Sequence, residues 1–205
     1  MRAFWAFVSV TAIAAVPLAA QTTVGIEAGF VSATLRTSDR GMPTNTIAGI
    51  LAGASIDHDL GAHFALAPEV MYIHKGGKFT ETDGTVDAIT LDYLEIPVLF
   101  RWTLATRSLP HSFLTAGPTI AFKLSCTDQY TGTDLNGSAD CKSLGTNTGF
   151  KSTDTGLLLG AGIDVKRAFL AARYEIGLTN VSLETGAGAA TLKNRALMLL
   201  VGYTL

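Results

Sequence analysis

The sequence predicts an all-β fold, an eight-stranded antiparallel up-and-down barrel that crosses a membrane. Three observations predict it. Apolar residues alternate with small or polar ones in long runs, the segments between the runs alternate long and short, and the N-terminus has the make-up of an export signal.

The export signal comes first in the chain. Arg2 supplies the positive charge, Ala3 to Val16 carry none, and Pro17-Leu18-Ala19-Ala20 place small residues before an expected cut ahead of Gln21. Residues 1–20 are therefore expected to be removed, leaving 21–205 as the barrel domain. A spanning helix needs about 20 apolar residues, and Pro17 interrupts this run. No Cys stands near the cut, which argues against a lipid-anchored N-terminus.

Composition narrows the rest. Of 205 residues, 48% are hydrophobic and 16% charged, too apolar for a disordered chain. The formal net charge of -2 offers no basic field for nucleic acid. Two cysteines, Cys126 and Cys141, are too few for a structural zinc site. In an exported chain an even pair reads as a disulfide, closing a loop worth about 3 kcal/mol of unfolded-chain entropy. No metal or cofactor is expected.

Period-2 alternation places strands near 23–36, 46–56, 63–75, 88–104, 112–125, 154–165, 167–179 and 192–205. Long polar connections (37–45, 76–87, 126–153, 180–191) alternate with short ones (57–62, 105–111, Lys166-Arg167). Short turns inside the periplasm and long loops outside are the habit of outer-membrane barrels. In the fourth strand Leu94, Ile96, Val98, Phe100, Trp102 and Leu104 share one face, opposed by Tyr93, Glu95, Pro97, Leu99, Arg101 and Thr103. Aromatics on the apolar faces form two groups. Phe64, Trp102 and Tyr203 fall near the periplasmic ends, and Phe30, Tyr72, Phe122 and Tyr174 toward the outer half. Two aromatic girdles suit a bilayer. Pro68, Pro97 and Pro118 cannot donate to a ladder, so they are expected at bulges or near a rim.

Several of these segments carry a resemblance. Leu66-Ala67-Pro68-Glu69-Val70-Met71-Tyr72 with Lys75-Gly76-Gly77-Lys78, Tyr93-Leu94-Glu95-Ile96-Pro97-Val98-Leu99-Phe100-Arg101, Ala116-Gly117-Pro118 and Arg173 to Asn180 resemble the PorT-type family of small outer-membrane barrels. The resemblance implies that the three strand prolines are tolerated at these positions. It implies no particular task. Barrel precursors commonly end in an aromatic, and here Leu205 is last with Tyr203 two places earlier.

The faces opposite the apolar ones collect Glu27, Glu69, Glu95 and Glu175 with Arg101, Lys123 and Arg173. An eight-stranded barrel is just wide enough for side chains to fill. Charges enclosed there must pair, and Glu69, Glu95, Arg101, Arg173 and Glu175 are expected to form one packed network. The alternative is a charged constriction that passes solutes. A catalytic site on such a barrel needs a His beside a nucleophile. His58, His63 and His111 fall at periplasmic turns, and His74, beside Tyr72, has no Ser two places away on its face. No catalytic residues are assigned. Gly76-Gly77 reads as a turn and Gly160/Gly162 as inward strand positions, not as phosphate loops.

The leading expectation is a monomeric structural or interaction barrel, with membrane lipid around it and a protein partner at loop 126–153. A narrow porin-like channel or secretion accessory, a lipid-modifying enzyme and a soluble lipocalin-like barrel are the alternatives.

Overall fold

The computed structural model describes residues 22–38, 44–80, 84–104, 111–132, 136–141, 149–183 and 190–205. The expected signal segment lies outside them. The strands are β1 (Thr22–Thr37), β2 (Thr44–Asn45), β3 (Ile47–Gly61), β4 (Phe64–Thr80), β5 (Val86–Leu104), β6 (Ser112–Thr131), β7 (Asn136–Asp140), β8 (Thr153–Val165), β9 (Ala168–Gly177) and β10 (Leu192–Thr204). Eight of them close a ring in the order β1-β3-β4-β5-β6-β8-β9-β10 and back to β1, every pair antiparallel. Closure removes the free edges that an open sheet would leave. β2 and β7 are short additions on β4 and β6.

The alternation translates directly into two surfaces. Outward stand Ile26, Phe30, Ile50, Phe100, Leu124, Leu159, Leu170 and Leu199, with Phe30 75% exposed. Inward stand Val31, Leu51, Met71, Tyr93, Leu99, Phe113, Leu158, Phe169, Met198 and Leu200, all buried. The apolar side chains of a soluble barrel would lie inside only. Here a second, larger apolar set faces out, and only a membrane satisfies that arrangement.

The strand prolines sit neither at bulges nor at a rim. Register is the same on both sides of each one: Ser55 faces Glu69 and His58 faces Leu66, Pro68 faces Val98 and Met71 faces Glu95, Pro97 faces Thr119 and Phe100 faces Ala116. A strand residue directs its backbone groups to one neighbour only, so each proline breaks one ladder and leaves the other whole. Pro68, Pro97 and Pro118 still pair on their far sides with Val98, Thr119 and Leu157. The three interruptions lie on adjacent strands. Beside one of them, the Val98 carbonyl occupies the space a Cβ on Gly117 would need, which accounts for glycine there.

The long connections are shorter than the sequence pattern implies. β4 continues through Gly76-Gly77 to Thr80, and β5 begins at Val86, so the expected 76–87 loop is mostly ladder. β6 runs to Thr131 and β7 folds back on it, so much of 126–153 is a hairpin. Above the membrane neither face of a strand needs to be apolar, and the alternation that marks the wall vanishes. Upper β4, β5 and β6 with β7 thus form a sheet projecting beyond the barrel. At the other end the two described turns are tight. Ala62 and His63 take φ of 51° and 74°, the left-handed pair of a two-residue hairpin turn, and Lys166 takes 60°.

Candidate functional site

The lumen is organised in layers, set by the inward residues of β4, β5 and β9. On β9, Glu175, Arg173 and Phe169 descend from the outer to the periplasmic end, and on β5 Tyr93, Glu95, Leu99 and Arg101 do the same.

At the outer end the plug is apolar. Leu35, Ile47, Phe79, Leu91, Phe150 and Val181 belong to one buried cluster. Phe150 arrives from the β7–β8 connection. It bridges Ser182, and its carbonyl accepts a hydrogen bond from Lys123 Nζ. Flanking backbone bonds, Lys151 N to Val181 O at 2.8 Å and Leu183 N to Gly149 O at 2.9 Å, tie the two connections together over the mouth.

Beneath lies the first ionic layer. Lys75 Nζ pairs with both Glu95 and Glu175, and all three are buried. Thr119 Oγ1 donates to Glu175 at 3.3 Å. The ammonium also sits 5.7 Å from the Tyr93 ring centroid. On the same level Asn194 Nδ2 donates to Asp154 at 2.8 Å and to the Tyr93 hydroxyl at 3.3 Å.

The second layer belongs to Arg173. Its two terminal nitrogens donate to Glu69 at 2.7 and 2.8 Å and to Glu27 at 3.3 Å each. The planar fork is what lets one cation serve two carboxylates in parallel. Arg173 is 3% exposed, so these bonds stand in for water at its two terminal nitrogens.

At the periplasmic mouth Arg101 makes a separate pair. It donates to Asp164 at 2.5 and 2.7 Å and stacks 3.7 Å from the Phe113 ring centroid. This corrects the expected single network. Glu95 and Arg101 share a face but stand six residues apart, about 20 Å along a strand. Arg101 therefore meets a vestibule of about 560 Å³, where Asp57, His63, His111 and Lys166 also stand. Lys123 likewise stands apart from the two ionic layers, at the outer plug.

Lys75, Asp154, Asp164 and Asn194 escaped the sequence reading, which places Tyr93 on the inward face but gives it no role. The signal for Lys75 was present: Glu69, Met71 and Ile73 set the parity, and Lys75 continues it. Its neighbour Gly76-Gly77 read as a turn and hid it. With Lys75 included, each buried cation in the two layers holds two carboxylates.

The outer sheet is stapled. Cys126 and Cys141 form a disulfide with Cα atoms 5.5 Å apart. They continue the register of Thr127 opposite Asp140, so the bond closes the β6–β7 hairpin at its barrel end. Asp128, on the projecting part of β6, has its carboxyl pushed up by burial and, secondarily, by Asp87.

The seven aromatic candidates Phe30, Phe64, Tyr72, Trp102, Phe122, Tyr174 and Tyr203 all project outward, and Phe64 stacks on Trp102 at 6.0 Å. Beside Tyr72 the structure assembles a polar cluster that crosses strands. Asp92 accepts from Tyr72 at 2.6 Å and from Ser125 at 2.5 Å, and pairs with His74 at 2.8 Å. Ser125 comes from β6, beside the β5 strand of Asp92, so the face of His74's own strand does not reveal it.

A closed antiparallel ring with an apolar exterior and a filled, ion-paired interior defines a membrane-spanning β-barrel protein. The chain matches the outer membrane protein beta-barrel domain over residues 17–183. It belongs to that family, and its place is the outer membrane. No curated protein matches the sequence. Among solved structures, Neisserial surface protein A shares 11% identity at a TM-score of 0.51, over 90% of this chain and 99% of that one. OprG of Pseudomonas aeruginosa shares 9% at 0.48, over 91% and 97%. Ail, the attachment invasion locus protein of Yersinia pestis, in complex with the heparin analogue sucrose octasulfate, shares 12% at 0.44, over 90% and 99%. These likenesses are of fold.

Proposed function

We propose that this protein is a closed interaction barrel, a monomer anchored in the outer membrane that offers its projecting sheet to a protein partner. The observation that carries the reading is the lumen. Lys75, Tyr93, Glu95, Leu99 and Met198 are each 0% exposed, and they come from three strands of the wall, β4, β5 and β10. Side chains from opposite sides meet, and Phe150 with Val181 covers the outer end. A path for solute would have to displace both ionic layers, and each leaves buried charges unpaired when broken.

The β6–β7 hairpin supports the second half. It extends beyond the wall alongside upper β5, is held by Cys126–Cys141, and presents an outer strand, β7, that among the described residues pairs on β6 alone. A rigid hairpin loses little entropy on docking. Within the family, the run Tyr93 to Arg101 and the motifs around Pro68 and Pro118 favour the PorT-type branch. The girdle aromatics mark the two headgroup levels. Residues 1–20 act as the removed export signal, which mass spectrometry of the exported protein would read as a start at Gln21.

We assign no catalysis to the Asp92 cluster. Its carboxylate accepts from Ser125 and pairs with His74, so the acid stands where a base would have to stand to activate the hydroxyl.

The test is conductance of the full chain in planar bilayers. The filled lumen predicts no unitary steps. Stable ion-conducting steps would refute it and favour the channel reading.

A further inference from the structure

We propose that the β1–β10–β9 wall holds one phosphorylated lipid of the outer leaflet, with its phosphate in a cationic cluster at the outer rim and an acyl chain in a groove beneath. The proposal goes beyond the interaction reading and does not depend on the projecting sheet.

The cluster is made by register. Arg36 of β1 stands directly opposite Lys193 of β10, and Arg195 follows two places along, opposite Thr34. All three lie on the lipid-facing parity at the long-loop end, level with the outer leaflet. Like charges directly across a ladder repel. Among the described residues no Asp or Glu stands on the outward faces of β1, β9 or β10 to relieve them. The opposite wall differs, since His74 there is held by Asp92. Arg195 is pre-positioned by donating to the Tyr174 hydroxyl at 3.2 Å. An anion between Arg36 and Lys193 would turn the repulsion into two attractions, and a lipid phosphate is the anion at this depth.

The groove lies lower on the same wall. It is an apolar concavity of about 760 Å³ crossing five strands, β3, β1, β10, β9 and β8. Its lining sets small side chains, Ala28, Ala52 and Ala172, among large ones, Phe30, Ile50 and Leu170. From Arg195 to Leu199 at its edge is four residues, about 13 Å along the strand, within reach of a fatty acyl chain. Leu197 and Tyr174 line the way between. A barrel exterior is convex by default. An apolar dent beneath a cationic cluster that has no acid on the outward faces of its own strands among the described residues fits a lipid with an anionic head and acyl chains.

The experiment uses the full chain purified from membranes in neutral detergent and probed with bis-phosphorylated hexa-acyl lipid A. Bound lipid is counted by native mass spectrometry, and heat-modifiable gel mobility verifies the fold of each variant. The expected result is one lipid per barrel. Affinity should fall at least tenfold for the dephosphorylated lipid, for Arg36→Ser/Lys193→Ser/Arg195→Ser, and for the groove-filling Ala172→Trp. The dephosphorylated arm needs only the native protein, so it decides the matter even if a variant misfolds. Equal affinity for both lipids would overturn the proposal. So would full competition by inorganic phosphate, which would mark a free-anion site. A dimer abolished by Ala172→Trp with lipid binding unchanged would make the groove a self-association face and overturn it as well.

Discussion

Replacing Arg173 with Met tests the filled lumen most directly. Met keeps most of the length and removes the charge. The substitution deletes four hydrogen bonds, two to Glu69 at 2.7 and 2.8 Å and two to Glu27 at 3.3 Å. It leaves two buried carboxylates facing each other on β1 and β4 with no cation. Breaking one side of a buried pair typically costs about 3–5 kcal/mol, because the orphaned charge cannot reach water. The two bonds at 3.3 Å are the weaker half, and the geometry to Glu69 carries most of the effect. Adding Glu69→Met and Glu27→Gln removes the orphans, and the triple variant should recover most of the loss, since a buried ionic group replaced whole is often near neutral. The assay is urea-titrated unfolding in lipid vesicles, followed by heat-modifiable mobility and by the fluorescence of Trp102. Arg101→Ala is the internal contrast. That pair is part-exposed at the mouth, so its loss should cost less, about 1–3 kcal/mol. A loss below about 1 kcal/mol for Arg173→Met, together with new conductance, would show that water reaches the layer and would refute the packed lumen.

Three further outcomes follow from the same geometry. A side chain at Gly202 would run into the Phe169 ring inside the lumen, so Gly202→Val should cost about 1–3 kcal/mol by overpacking, read in the same unfolding assay. Replacing Cys126 and Cys141 with Ser should remove about 3 kcal/mol of loop constraint from the β6–β7 hairpin. Hydrogen exchange should then rise in β7 while the wall strands keep their protection. Asp128 supplies a pH dependence. Its folded carboxyl is raised above 3.8 by burial, so the protonated form is favoured in the folded hairpin. Protection of the projecting sheet should therefore be greatest below about pH 3.8 and fall as pH rises through the raised value, levelling off above it. Asp128→Asn should abolish that slope, and an unchanged slope would assign it to another group.

How far the sequence alone reaches is seen residue by residue. In the wall strands, side-chain direction is a local property with period 2, so Leu94, Val98, Phe100 and Trp102 are placed outward, and Glu95, Arg173 and Glu175 inward, without a structure. The bilayer enforces that pattern, since every other residue must face lipid. Outside the bilayer the rule lapses. The strand segments 76–80, 86–87, 126–131 and 136–140 are rich in Thr, Asp, Gly and Asn and carry no signal of a ladder. Turn residues hid Lys75 in the same way.

The sequence by itself therefore predicted the class of fold, the membrane setting, the alternating faces of the wall strands and a Cys126–Cys141 disulfide. Which charges meet was decided by the tertiary structure. Arg173, Glu27 and Glu69 come from β9, β1 and β4, and Lys75, Glu95 and Glu175 from β4, β5 and β9. Their meeting depends on ring closure and on the stagger that accumulates from strand to strand. That stagger is a property of the whole barrel, and no window of the chain contains it. The same closure placed Arg36 opposite Lys193.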